Sequence, residues 1–227
     1  MRRRHPEPVA VAILAKAPLP GLAKTRLIPA LGVEGAAALQ ARLIARAVET
    51  AIAAGTGPTT LWGAPDESHP EFQSAKTRYG LALARQPNGD LGHRMFTALA
   101  AAHGPALVIG SDCPALTPAH LRACAEALRD GIDAAVIPAE DGGYVLLGTR
   151  RPNAHLFADM PWARRWLWAR RARVSRGFHS PGASPPAYGM STGPRISRGW
   201  PRSRSHEASN VSSVPKTLGP ILHAILC

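Results

Sequence analysis

The chain has 227 residues, enough for one sizeable core, and its 45% apolar content fits a folded α/β protein rather than a disordered one. Its formal charge of +12 is unevenly spread: residues 1–162 hold 16 Lys/Arg against 14 Asp/Glu, and residues 163–227 hold 11 against 1. The basicity belongs to the last third, and three cysteines without paired spacing exclude a disulfide framework or a zinc ribbon.

"VAVAILA" (9–15) is a continuous apolar run with β-branched residues, the pattern of a strand buried on both faces of a parallel sheet. The basic N-terminus ahead of it resembles a signal peptide, but Lys16 breaks the run and a Pro/Gly-rich turn follows. No stretch approaches the roughly 20 apolar residues of a membrane span, so a cytoplasmic protein without a membrane partner is expected. From Glu34 to Ala54 the spacing of Leu39, Leu43, Val48 and Ile52 predicts a helix, stopped by Gly55 and Gly57. Strands are predicted at 59–64 and 81–86, and a helix over Asp90 to Ala102 opened by its N-terminal acid. "PALVIGSDCP" (105–114) reads as a strand running into a polar turn, and "TPAHLRACAEAL" (117–128) as a helix with Thr117 as cap and Pro118 in its first turn. Further strands are predicted at 133–139 and 144–148 on either side of "EDGG". This alternation predicts βαβ units and a largely parallel sheet, with ligands at the carboxyl ends of its strands. Beyond Trp162 the periodicity stops, and residues 163–227 read as a basic, disordered tail with a helical stub near Trp166 and Trp168.

The turns carry the candidate chemistry. "AKAPLPGLAKTRL" (15–27) lacks the glycines of a Walker A loop, whose positions hold Pro18 and Ala23. A turn containing Gly21 with Lys16, Lys24 and Arg26 close together can instead place several donors around a diphosphate, or it can be a solvated surface turn. Asp112, directly after a buried strand, suits a divalent cation such as Mg²⁺ or Mn²⁺; turn capping is the plainer fate of such a residue. Glu140 and Asp141 precede Gly142 and Gly143 either as a close-approach loop or as an Asp-Gly hairpin turn. Asp90, Gly92 and Arg94 sit at a helix start. Cys113 has no His/Asn partner set and is read as packing.

In this order, "AKAPLPGLAKTRL", "QPNGDLGHRM", "GSDCPALTP", "EDGGYVLLG" and "LFADMPW" resemble a bacterial family of GT-A-type glycosyltransferase-like proteins, the arsenosugar-biosynthesis glycosyltransferase type. That family is similar in fold to molybdenum-cofactor and phospholactate guanylyltransferases. The resemblance covers residues 9–162 and implies a Rossmann-like GT-A nucleotide-diphospho-sugar transferase fold, a mostly parallel central sheet flanked by helices. It implies phosphate contacts from Lys16, Lys24 and Arg26, a metal at Asp112, and Gln86, Asp90 and Gly92 near the nucleotide. Asp141, Gly142, Gly143 and Tyr144 would face the sugar or acceptor, with Asp141 orienting or deprotonating an acceptor hydroxyl. The partners implied are a nucleotide sugar, or an NTP if the reaction is nucleotidyl transfer, and a small-molecule acceptor. A nucleic-acid partner for the basic tail is the remaining, non-enzymatic reading.

The resemblance organises the chain as a nucleotide-binding domain over 1–162, C-terminally incomplete, and a tail over 163–227. Relatives would continue past "MPW" with Gly/Ser-Thr, a Thr-Arg-x-Arg-like segment and an Asp-rich "W-D-V-D" block. Read one base out of register, the codons for Trp162 to Arg164 permit "GT", those for Arg170 to Val174 permit "TRAR", and those for Ala187 to Arg198 permit "VWDVDRPTDFE". Three blocks in order in one shifted frame point to a frameshift near codon 162, by which a late metal-completing Asp would be lost and the chain left impaired.

Overall fold

The computed structural model describes residues 6–139, 143–154 and 157. Six strands form one sheet: β1 (Ala10–Lys16), β2 (Thr59–Ala64), β3 (Ala82–Arg85), β4 (Ala106–Gly110), β5 (Ala134–Pro138) and β6 (Tyr144–Thr149). Their spatial order is β3-β2-β1-β4-β6-β5, with β3, β2, β1 and β4 mutually parallel. Among the described residues four α-helices flank them: α1 (Ile28–Ala54), α2 (Pro70–Tyr79), α3 (Leu91–Ala100) and α4 (Pro118–Arg129).

Side chains alternate across a strand, so the apolar runs feed two cores. Val11, Ile13, Leu61, Leu107, Ile109 and Leu146 pack on one face with Ile44 and Val48 of α1, Phe72 of α2, and Leu121 and Leu128 of α4. Ala12, Trp62, Val108 and Leu147 pack on the other with Met95 and Leu99 of α3. Leu61, Leu107 and Leu146 are fully buried; each such side chain contributes about 1.5–3 kcal/mol relative to an exposed one.

Local chemistry sets the helix ends. Thr117 Oγ1 accepts from the His120 N–H at 3.4 Å and His120 Nδ1 accepts from the Thr117 N–H at 3.3 Å, a reciprocal capping box ahead of α4. Asp90 Oδ1 accepts from the His93 N–H at 2.7 Å and starts α3. α1 stops at Gly55, whose φ of 62° is left-handed.

Three expectations need correction. The sheet is not built from βαβ units throughout: β6 lies antiparallel between β4 and β5, and β5 and β6 form a hairpin. The run Tyr144–Thr149 is buried in either direction, so its apolar pattern carries no sign of orientation. Ile52 does not belong to the inner stripe of α1, being 41% exposed; the stripe runs through Ala36, Gln40, Leu43, Ile44, Val48 and Ala51. The segment Thr25–Ala54 is long and apolar enough, at a mean hydropathy of 1.3, to meet the length and composition of a membrane span. Its inner stripe packs against the sheet and α4, and 28% of that stretch is buried. The tail reading for 163–227, with its stub near Trp166 and Trp168, lies outside the described residues.

Candidate active site

β1 has β2 on one side and β4 on the other, and the chain leaves β1 towards β2 but returns as β4. This reversal opens a crevice beyond the carboxyl ends of β1 and β4, the switch point at which open α/β sheets bind ligands. Lys16 ends β1, and Ser111 and Asp112 follow β4. The antiparallel register Ile109↔Leu146 brings Tyr144, the first residue of β6, to the same rim. The flanks of the hairpin close there, with the Ala139 N–H donating to Gly143 O at 3.1 Å.

The turn after β1 is fixed by its own backbone. The Ala17 N–H donates to Ala64 O at 2.7 Å, and Leu19 O accepts from the Leu22 and Ala23 N–H groups at 3.0 and 2.9 Å. Gly21 has φ 78°, a conformation glycine takes without steric cost. Ala23 is buried, and Lys24 then adopts φ 47°, ψ 44°. A left-handed backbone costs a non-glycine residue about 1–2 kcal/mol, and here it accompanies a specific contact: Lys24 Nζ lies 2.9 Å from Asp112 Oδ1. The Lys24 side chain is 18% exposed and that of Asp112 is 66% exposed, so the pair sits at the rim with its acidic member towards solvent. Arg26 lies exposed in the single 3-10 turn that follows, and Lys16 is exposed one strand-end away. Among the described residues, the backbone N–H groups of Gly21, Lys24 and Thr25 have no protein acceptor. Cationic side chains beside free amides form the surroundings that anions occupy.

Two buried amides fasten this rim. Gln40, 3% exposed on α1, donates from Nε2 to Lys16 O at 3.1 Å and to Ser111 Oγ at 3.3 Å. Ser111 Oγ in turn donates to Asp112 Oδ1 at 3.2 Å, so the chain Gln40–Ser111–Asp112–Lys24 ties the β1 turn to the β4 turn. Gln86 donates from Nε2 to Ala15 O at 2.9 Å and to Trp62 O at 2.8 Å, locking the ends of β1 and β2. Sequence reasoning singled out Gln86 but missed Gln40 and Ser111. The available signal for Gln40 was a polar residue in register with Ala36, Leu43 and Ile44 on the inner stripe.

The other candidates divide. The Asp90 carboxylate caps α3, and Gly92 is buried in the first turn of that helix. The Tyr144 hydroxyl donates to Met95 Sδ at 3.3 Å, which lays its ring against α3. Gly143 precedes it at the rim. Asp141 and Gly142, with Glu140, lie outside the described residues. Among the described residues no group of three His, Cys, Asp or Glu side chains converges on a cation position. Asp112 thus offers a single carboxylate, already paired with Lys24, and the described residues do not make an all-protein cation cage.

The fold is the nucleotide-diphospho-sugar transferase fold. The chain aligns with a protein from Desulfovibrio desulfuricans G20 assigned as a nucleotide-diphospho-sugar transferase, at TM-score 0.64 and 25% identity, over 74% of this chain and 76% of that one. A nucleotidyl transferase from Methanothermobacter thermautotrophicus aligns at TM-score 0.48 and 20% identity, over 68% and 75%. A cytidylyltransferase from Leptospira borgpetersenii aligns at TM-score 0.45 and 14% identity, over 73% and 68%. No curated protein matches the sequence. The chain belongs to the bacterial family DUF2064, "Uncharacterized protein conserved in bacteria", whose profile matches residues 47–164.

Proposed function

We propose that the protein is a divalent-metal-dependent transferase that uses a nucleotide-diphosphate sugar as donor and glycosylates a small-molecule acceptor. The observation that carries this reading is the 2.9 Å pair of Lys24 and Asp112 at the switch point, between the turn that bears Lys16 and Arg26 and the end of β4. Lys16, Lys24 and Arg26 hold the donor diphosphate, and Asp112 holds the Mg²⁺ or Mn²⁺, which supplies charge neutralisation on that diphosphate. Gln86, Asp90 and Gly92 shape the nucleotide side, Gln86 through the strand ends it fastens and Asp90 through the helix it caps. Gly142, Gly143 and Tyr144 border the acceptor.

In the transfer, the acceptor oxygen bonds to the anomeric carbon, the bond from that carbon to the diphosphate oxygen breaks, and the hydroxyl proton passes to Asp141. Lys24 and Arg26 stabilise the charge building on the departing nucleoside diphosphate. Residues 1–162 form the nucleotide-binding unit. Residues 163–227 are the product of a frameshift near codon 162, which removes a late carboxylate and lowers the activity of this chain; an uninterrupted frame in the source DNA, without the shifted blocks, would refute that part.

The test uses a protein with the frame restored, Mn²⁺, and a panel of nucleotide sugars and NTPs. Release of nucleoside diphosphate from a nucleotide sugar supports the proposal. Release of pyrophosphate from an NTP instead identifies a nucleotidyltransferase working from the same rim.

A further inference from the structure

A second cleft lies at the opposite rim of the sheet. The Ala10 N–H donates to Pro105 O at 3.0 Å and Ala106 pairs with Thr149, so the start of β1, the loop ahead of β4 and the end of β6 meet there. They enclose a cleft of about 410 Å³ whose lining includes Glu7, His103, Gly104, Arg150, Arg151 and Pro152. That volume is in the range of small-molecule sites, about 300–1,000 Å³. The five residues of β4 separate it from the Lys24–Asp112 rim, about 17 Å at about 3.3 Å per residue, so one small substrate cannot reach both.

The walls are preorganised and their charges are available. Thr149, 1% exposed, donates its hydroxyl to Arg151 O at 2.9 Å and accepts from the Arg151 N–H at 3.2 Å. The Arg150 N–H is held by Asp133 O at 3.0 Å. Arg129 is already committed, donating to Glu7 O at 2.8 Å and Thr56 O at 3.0 Å, and it fixes the Glu7 backbone at the edge of the cleft. By contrast, the ion pair found among the described residues is Lys24–Asp112, and within them Arg150 and Arg151 have no carboxylate partner. Among the described residues the Gly104 N–H has no protein acceptor either. His103 beside it holds a left-handed backbone at φ 53°.

The Arg151 guanidinium and the Gly104 amide on this lining, with the Arg150 guanidinium close by against Gly131, are donors of the kind that take a phosphate group. Glu7, on the same lining, brings a carboxylate to the cleft's edge, a group that disfavours a bare polyanion and accepts hydrogen bonds from hydroxyls. We propose that this cleft is a second ligand site, which takes a small phosphorylated polyhydroxy compound of sugar-phosphate size through Arg150, Arg151 and Gly104, with Glu7 on its hydroxyls. The site does not depend on the transferase reading of the opposite rim.

The test is a residue-resolved ¹H–¹⁵N titration of the full chain with glucose 1-phosphate and, separately, inorganic phosphate at about 0.15 M ionic strength, which suppresses unspecific attraction to the basic residues beyond 162. The amides of Gly104, Arg150 and Arg151 should shift saturably, with tighter binding of glucose 1-phosphate. Arg150→Gln/Arg151→Gln should weaken that binding about tenfold or more while the Ser111 and Asp112 signals stay in place, which shows the variant to be folded; Lys24→Met should leave it unchanged. Glu7→Gln should erase the preference for the sugar phosphate. Shifts confined to residues 163–227 or to the Lys24 rim, an unaltered titration in the double arginine variant, or a preference that survives Glu7→Gln would overturn the proposal.

Discussion

Replacing Gln40 by leucine tests whether the rim is held by the buried amide network. The substitution keeps the approximate size of the side chain while removing the Nε2 donor that Lys16 O and Ser111 Oγ share at 3.1 and 3.3 Å. Ser111 keeps Asp112 as a partner, so the main loss is one carbonyl at the end of β1 left without its side-chain donor. That carbonyl is only part-buried, so its loss costs about 0.5–1.5 kcal/mol, the net worth of one hydrogen bond, and at about 2–4 °C per kcal/mol for a domain of this size that lowers Tm by roughly 1–6 °C. Gln86→Leu should cost at least as much, because Nε2 of Gln86 serves two buried strand-end carbonyls at shorter distances, 2.9 and 2.8 Å. Thermal unfolding followed by circular dichroism, with urea unfolding as a check, measures both; Arg42→Ala on the exposed face of α1 is the control. A Gln40→Leu protein as stable as the control would refute the claim that this amide ties α1 to the rim.

Gly63→Ala should destabilise by about 1–3 kcal/mol through overpacking, because a Cβ there would lie 2.6 Å from Asp66 O and 2.7 Å from the Phe72 ring; urea unfolding reads the loss. Burial holds the His120 imidazole below its ordinary pKa and favours its neutral form. Its contribution is therefore complete above the unfolded value, about 6.5, and is lost as pH falls through the depressed folded value. His120→Gln, which keeps an acceptor at that capping position, should flatten the dependence of Tm on pH on the acid side of 6.5. Burial pushes the Cys124 thiol up to about 12, so iodoacetamide at pH 8, followed by peptide mapping, should modify half-buried Cys113 well before Cys124.

The parallel half of the sheet was legible because strands buried on both faces must be continuous apolar runs, as in Val9–Ala15 and Pro105–Ile109. Thr117-Pro118 and Asp90 announced their helices because a helix start needs an acceptor for its free N–H groups. The convergence of Lys24 and Asp112 followed from topology, since a strand order that reverses beside β1 places both turns at one crevice. Helix α2 left little signal: Phe72 and Ala75 are its buried residues, too few to mark a helical period. The insertion of β6 between β4 and β5 is a pairing between distant segments, which no local pattern encodes. Gln40 was passed over because a helix reading sorts residues by hydropathy, and its two acceptors lie 24 and 71 residues away.

The most direct measurement is calorimetric titration of the frame-restored protein with a nucleoside diphosphate in the presence of Mn²⁺, compared with Lys24→Met and Asp112→Asn. If the two turns grip one metal-bound diphosphate, each substitution weakens binding by about tenfold or more, about 1.4 kcal/mol, and the double variant loses less than the sum of the two because they serve the same complex. Undiminished binding in either single variant, or strictly additive losses, would contradict the account.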